Sequence, residues 1–277
     1  MKNKESKNKN TEYKILALDI DGTLTNSQKR ITKKVKASIN NLYKRNIPVL
    51  LVSGRPTEGI LPVAEEINLI ENGGYILSFN GGKIIKADTG EVVYSKSIPN
   101  ELIKDICEFA KKNNLEILTY KDGKIITTNP KDKYVEIEAR INRLETIKIE
   151  DMEASAPDSP DKFLMVGEPE ILEKKVVEMQ EKFKGKLNIF RSEPYFMEIV
   201  PTGIDKAQSL KVLLNSLSLT RKQLVACGDG RNDVTMIDYA GMGVAMENAC
   251  DEVKSVANFV TASNDDEGVC LAIDKFF

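Results

Sequence analysis

Asp19 and Asp21, one residue apart and followed by Gly22, Thr23 and Leu24, close an apolar run from Tyr13 to Leu18. Carboxylates where a buried strand gives way to a loop are hard oxygen donors, suited to a cation such as Mg²⁺. A second acidic group stands much later, Gly228-Asp229-Gly230-Arg231-Asn232-Asp233, again straight after a short apolar run, Leu224 to Cys227. In an open α/β sheet the loops beyond the carboxyl ends of the strands meet at one edge, where ligands bind. The two clusters together describe a divalent-metal site with one carboxylate to spare for chemistry.

Two further segments fit the same edge: Ser53-Gly54-Arg55, after the run Ile47 to Val52, and Lys206 at the start of a helical pattern. Phosphoryl transfer needs a nucleophile, cations against the charge on the phosphoryl oxygens, and donors that hold the group in line. Asp19 can be the nucleophile, since carboxylates form aspartyl phosphates. A cation between it and a phosphate dianion offsets their repulsion, and Asp19, Asp229 and the backbone carbonyl of Asp21 are the expected Mg²⁺ ligands. The side chain of Asp21 is then free to give and take a proton. Ser53 and the Gly54 N–H suit phosphate oxygens at a strand-to-helix turn, Lys206 adds positive charge, and Asn232 donates a hydrogen bond. Asp233 would hold Lys206 or a metal-bound water. Singly, each piece reads as an ordinary turn or surface group; what points to chemistry is their joint occurrence in order. The oxygen ligands and late Glu of an EF-hand calcium loop are absent. Gly241-Met242-Gly243 is discounted as a dinucleotide loop because Met246 takes the third glycine position.

Strands at Ile15–Leu18, Ile47–Val52 and Tyr75–Phe79 alternate with helices from Thr32 to about Arg45 and from Thr57 to Ile67, the signature of a doubly wound parallel sheet. The middle differs. A helix carrying Leu102, Ile103, Ile106, Phe109 and Ala110 precedes a hairpin, Glu116–Tyr120 and Lys124–Thr128, turned by Asp122-Gly123. Helices at Lys133–Leu144 and Pro169–Phe183, an acidic loop at Glu150–Asp161, and strands at Phe163–Val166, Leu187–Phe190 and Phe196–Val200 complete it. The alternating pattern returns after Pro201, with a helix Lys206–Leu217, strands near Leu224–Cys227, Gly243–Met246 and Asn258–Val260, and helices from about Asn232 and Asp251. The expected class is therefore α/β, a Rossmann-like doubly wound parallel sheet with an inserted α+β domain. Its expected divisions are a disordered tail 1–11, a core 12–83 and 195–277, and an insert 84–194.

With 277 residues and 41% hydrophobic composition the chain can bury more than one core. Charged residues make up 30% of it yet leave a net charge of −2, which points away from nucleic acid and membrane surfaces. Four scattered cysteines without a CxxC fit a reducing cytoplasm. The chain contains no histidine, which removes His-based triads, His-ligated zinc and His acid–base catalysis.

The set Asp19 to Leu24, Val52 to Arg55, Lys206 and Gly228 to Asp233 resembles the haloacid dehalogenase superfamily of phosphatases. The large mid-chain insert behind Asn80-Gly81-Gly82, with Val244-Ala245-Met246-Glu247-Asn248-Ala249 and Asn264 to Val269, is similar to its Cof-type branch, whose C2-type cap is inserted in the core. The resemblance spans all but the first dozen residues. It implies a Rossmann-like core, Mg²⁺, an aspartyl-phosphate intermediate and small phosphorylated metabolites such as sugar phosphates. Ile20, Arg55, Asn80 and Gly81 join Ser53, Gly54, Lys206 and Asn232 as candidate phosphate- and substrate-binding residues. Asp19, Asp21, Asp229 and Asp233 form the candidate metal set. A phosphomutase, or a silent sensor of a phosphorylated ligand, are the alternatives. Departures from the pattern are Ala207, Thr25 and Arg231, the last near the metal motif.

Overall fold

A computed structural model describes residues 12–277; the expected disordered tail lies outside them. In chain order the strands are β1 (Ile15–Asp19), β2 (Val49–Val52), β3 (Tyr75–Ser78), β4 (Lys83–Lys86), β5 (Val92–Ser95), β6 (Glu116–Lys121) and β7 (Lys124–Thr127). They continue as β8 (Thr146–Lys148), β9 (Phe163–Val166), β10 (Leu187–Glu193), β11 (Phe196–Pro201), β12 (Leu224–Gly228), β13 (Met242–Ala245) and β14 (Phe259–Val260).

The first sheet runs β14-β13-β12-β1-β2-β3-β4-β5. Its pairings from β14 to β3 are parallel and the last two are antiparallel. β1, β2 and β12 are buried along their whole length, which is why their sequences are continuous apolar runs: helices cover both faces of a parallel sheet. The chain leaves β1 toward β2 and β3 on one side and later returns as β12 on the other. The crevice at the carboxyl ends of β1 and β12 is therefore a topological switch point.

The second sheet runs β10-β11-β9-β6-β7-β8. On one face Ile117, Phe163, Met165, Met197 and Ile199 pack with Ile106, Phe109, Leu172 and Met179 of the helices Ile103–Lys112 and Pro169–Lys182. On the other, Leu118, Leu164, Val166 and Phe196 pack with Tyr134 and Val135 of the helix Lys133–Asn142.

Core plus inserted α+β unit is the architecture expected, but its division differs from 84 and 194. β4 and β5 extend the first sheet, because positive φ at Phe79, Asn80 and Gly81 turns the chain back beside β3. The turn at Asn80 thus opens a core hairpin. At the other junction β11 belongs to the second sheet as far as Pro201. The helix expected from Asn232 begins as a 3-10 turn, Arg231–Asp233, before Val234–Tyr239. Within the acidic loop Asp151 caps a single helical turn, Met152–Ser155. A C-terminal helix, Gly268–Phe276, and β8 were not foreseen. Among the described residues no helix is long and apolar enough to cross a membrane.

Candidate active site

Asp19 is the last residue of β1, and Asp229 directly follows β12, so the parallel pairing of these strands brings the two clusters together. Lys206 opens the helix Lys206–Ser216, whose N-cap Asp205 accepts a hydrogen bond from the Gln208 N–H. Only 1% exposed, Lys206 donates from Nζ to Asp19 Oδ1 at 2.7 Å and to Asp233 Oδ1. Asp233 is wholly buried, and its Oδ2 accepts from the backbone N–H groups of Asp229 (3.0 Å) and Gly230 (2.9 Å), fixing the loop that carries Asp229. Thr23 Oγ1 donates to Asp229 Oδ1 at 2.7 Å.

The charges do not balance. Burial, then the neighbouring Asp233, pushes the Asp19 carboxyl well above its usual range despite Lys206. Burial likewise pushes Asp229 up to about 6. Burial opposes the Lys206 ammonium, but Asp19 and Asp233 outweigh it and raise its pKa. Three carboxylates against one ammonium leave two negative charges, and oxygens of Asp19, Asp229 and Asp233 all lie within 4.8 Å of one another. Such a group of hard donors with excess negative charge fits a small divalent cation of the Mg²⁺ kind.

Asp21 differs from the expected free carboxylate. Arg55 grips it through Nε to Oδ2 (2.9 Å) and Nη2 to Oδ1 (2.8 Å), and Lys29 Nζ adds a bond to Oδ1 at 2.9 Å. Burial raises the Asp21 pKa, but the hydrogen bonds and charge of Arg55, with Lys29, outweigh it and hold the group below its usual value. In this geometry it is an ionised acceptor, ready to take a proton. Its side chain lies outside the acidic cluster of Asp19, Asp229 and Asp233.

Asp19, Asp21, Ser53, Gly54, Arg55, Asn80 and Asn232 line one cavity of about 270 Å³ between the first sheet and the inserted unit. Gly54 is packed so closely that a Cβ there would lie 2.9 Å from the Asn80 amide nitrogen. Asn232 Nδ2 donates to Asn80 Oδ1 at 3.1 Å. Two expected residues fall elsewhere. The Ile20 side chain is fully buried, so only its backbone can meet a ligand. Gly81 has φ +108°, and a Cβ would lie 2.6 Å from the Asp205 carbonyl oxygen; its own carbonyl accepts from Ser209 Oγ at 2.6 Å. Gly81 therefore seats the helix that bears Lys206 rather than touching a ligand.

The sequence reading passed over Thr23 and Lys29, and also Glu138, Lys162 and Glu198, which form the far wall of the cavity. The available sign was a lone charge beside or within an apolar strand: Lys162 before Phe163–Val166, Glu198 inside Phe196–Val200. Arg231, flagged as a departure, turns away to pair with Glu252.

Comparison with known proteins identifies the family. Residues 16–273 match a family model described as haloacid dehalogenase-like hydrolase. A crystal structure of a haloacid dehalogenase-like hydrolase from Bacteroides thetaiotaomicron superposes with TM-score 0.93 and 44% identity, covering 96% of this chain and 100% of that one. A Thermotoga maritima structure gives TM-score 0.87 and 29% identity over 95% of this chain and 97% of its own. A 5-amino-6-(5-phospho-D-ribitylamino)uracil phosphatase of Bacillus subtilis (strain 168) is 27% identical across 95% of this chain and 97% of its own.

Proposed function

The chain belongs to the haloacid dehalogenase-like hydrolases, and we propose that, as a phosphatase of this family, it hydrolyses phosphomonoesters of small metabolites such as sugar phosphates. In this reading it uses Mg²⁺ and an aspartyl-phosphate intermediate. The observation that carries the reading is the cluster Asp19, Asp229, Asp233 and Lys206 at the switch point, with Asp19 lining the cavity.

Asp19, Asp229 and the Asp21 carbonyl would hold Mg²⁺, with Asp233 behind them. When bound, the ion supplies the positive charge that lets a carboxylate approach a phosphate dianion. Lys206 fixes Asp19 through Oδ1, leaving the second carboxylate oxygen to attack phosphorus. As that O–P bond forms, the bond to the leaving-group oxygen breaks, and Asp21 gives this oxygen its proton. Water then attacks phosphorus, Asp21 takes back a proton, and the Asp19–phosphate bond breaks to release inorganic phosphate. Ser53, the Gly54 N–H and Asn232 orient the phosphoryl oxygens.

Arg55 couples binding to proton transfer. It grips Asp21 in the structure described here, and a phosphate dianion competes for the same guanidinium fork. Movement of Arg55 onto the phosphate frees Asp21 from the main group that holds its pKa down, and so allows it to carry a proton to the leaving group. The Bacillus subtilis relative's named substrate bears its phosphate on a ribityl chain, which supports a polyhydroxylated leaving group here too. Borohydride quenching during turnover tests the intermediate: reduction of an acyl phosphate leaves homoserine at position 19 in the peptide mass map. Unmodified Asp19 under steady turnover would contradict it.

A further inference from the structure

The cavity above Asp19 is walled on its far side by the inserted unit, and that wall carries buried charge. β11 is buried along its length, so Glu198, 7% exposed, is a lone carboxylate among Phe196, Met197, Ile199 and Val200. Lys162, 3% exposed, immediately precedes the apolar β9. Its Nζ lies 3.5 Å from Glu198 Oε2, yet the geometry is too poor for a hydrogen bond, and Glu198 Oε2 is buried without a hydrogen-bond partner. On the adjacent strand β6, Tyr120 places its ring 5.4 Å from Lys162 Nζ. Its hydroxyl donates to Glu138 Oε1 at 2.5 Å, holding the carboxylate of Glu138 beside the cavity.

A buried ion pair is a net loss to a fold unless further polar partners complete it, and a buried acceptor without a donor is among the rarer features of native structures. Here the incomplete pair faces the catalytic cavity. A ligand can supply what is missing: a donor for Glu198 Oε2 and an acceptor for Lys162 Nζ. A hydroxyl group is both. The surroundings narrow the class. A cationic group would supply donors but no acceptor for Lys162 Nζ, and a second anionic group would meet Glu138, Glu193 and Glu198. A flat aromatic system would find Phe196 and Ile141 as the only apolar side chains lining the wall. The cavity of about 270 Å³ also falls just under the roughly 300 Å³ at which drug-sized pockets begin.

We propose that Lys162, Glu198 and Glu138 form the leaving-group subsite, and that it selects a neutral polyhydroxylated chain or ring, one hydroxyl donating to Glu198 Oε2 while an oxygen accepts from Lys162 Nζ. This rests on the phosphatase reading and names the residues that set its specificity.

The test compares phosphate release from hexose, pentose and hexitol monophosphates with release from ethyl phosphate, which lacks hydroxyls beyond the phosphate, and from flavin mononucleotide. The unaltered protein should prefer a hydroxylated substrate. In Glu198→Gln, and in the double variant Lys162→Met/Glu198→Leu that leaves neither charge buried alone, the kcat/KM ratio of the best hydroxylated substrate to ethyl phosphate should fall at least ~10-fold, as for loss of a hydrogen bond to a charged group. An unchanged ratio, whether activity drops equally on both substrates or not at all, overturns the subsite. Preference of the unaltered protein for flavin mononucleotide overturns the class of leaving group. Absence of release from every substrate overturns the phosphatase reading itself, and the subsite with it.

Discussion

Replacing Lys206 by Met removes one buried positive charge and leaves Asp19, Asp229 and Asp233 facing each other. Lys206 is 1% exposed and bonded to two of the three carboxylates, so water cannot take its place without opening the core. Removing one partner of a buried pair costs about 3–5 kcal/mol, which lowers the thermal midpoint by about 5–9 °C for a chain of this size. Two agents should relieve the loss. Protons are one: burial already raises the Asp19 and Asp229 carboxyls, and loss of the Lys206 charge raises them further in the folded state, which then binds more protons than the unfolded chain. Stability of the variant therefore rises as pH falls toward the usual carboxyl range. A divalent cation is the other: it stabilises both proteins, but with one positive charge fewer the variant binds it more tightly, and each tenfold gain in affinity narrows the gap by about 1.4 kcal/mol at saturation. The assay is thermal unfolding of both proteins at pH 8 and pH 5.5, in EDTA and in saturating Mg²⁺. The gap should be widest at pH 8 in EDTA and should narrow with acid and with Mg²⁺. A gap below about 1 kcal/mol at pH 8 in EDTA, or one that Mg²⁺ leaves unchanged, refutes the reasoning, since it would mean that the carboxylates are not an uncompensated cluster.

Mg²⁺ binding should follow the Asp229 carboxyl, which burial pushes up to about 6. Protons compete with the ion below that value, so calorimetric affinity should weaken roughly tenfold per pH unit under it and level off above it; a flat profile from pH 5 to 8 would contradict the assignment. Gly22→Ala places a Cβ 2.3 Å from Asp229 Oδ2 at a residue with φ +88°. It should lower phosphate release about 100-fold, the effect of displacing a catalytic group by about 1 Å, while circular dichroism stays unchanged; near-normal turnover would show that the loop yields freely. Arg55→Met removes the main group that holds the Asp21 pKa down, so the basic limb of the kcat/KM profile, which reports Asp21 carrying the proton it gives to the leaving group, should move to higher pH. A limb that stays in place would separate Asp21 from the proton transfer.

The core was legible because buried parallel strands must be apolar throughout: Ile15 to Leu18, Val49 to Val52 and Leu224 to Cys227 announce themselves without neighbours. The acidic residues of the candidate site were legible for a related reason, since each follows such a strand and the topology carries all of them to one edge. Lys83-Ile-Ile-Lys86 lacked that mark. It is a short strand with charged ends, flanked by β3 and the edge strand β5, and only the positive φ values at Phe79, Asn80 and Gly81 return it to the core sheet. Partnership was less legible still. Nothing in the sequence tells that Arg55 and Lys29 converge on Asp21, because pairs 34 and 8 residues apart meet only once the fold is formed. Lys162 precedes β9 and Glu198 lies within β11, and they become a wall only when those two strands pair.

The central claim is Mg²⁺-dependent hydrolysis through Asp19, and phosphate release by the unaltered protein and by Asp19→Asn tests it most directly. Both are assayed against a panel of phosphorylated metabolites, with Mg²⁺ and with EDTA. The account predicts release by the unaltered protein that EDTA abolishes, and none above background from Asp19→Asn although its fold and thermal unfolding persist. Undiminished release in EDTA, or turnover retained by Asp19→Asn, would contradict it.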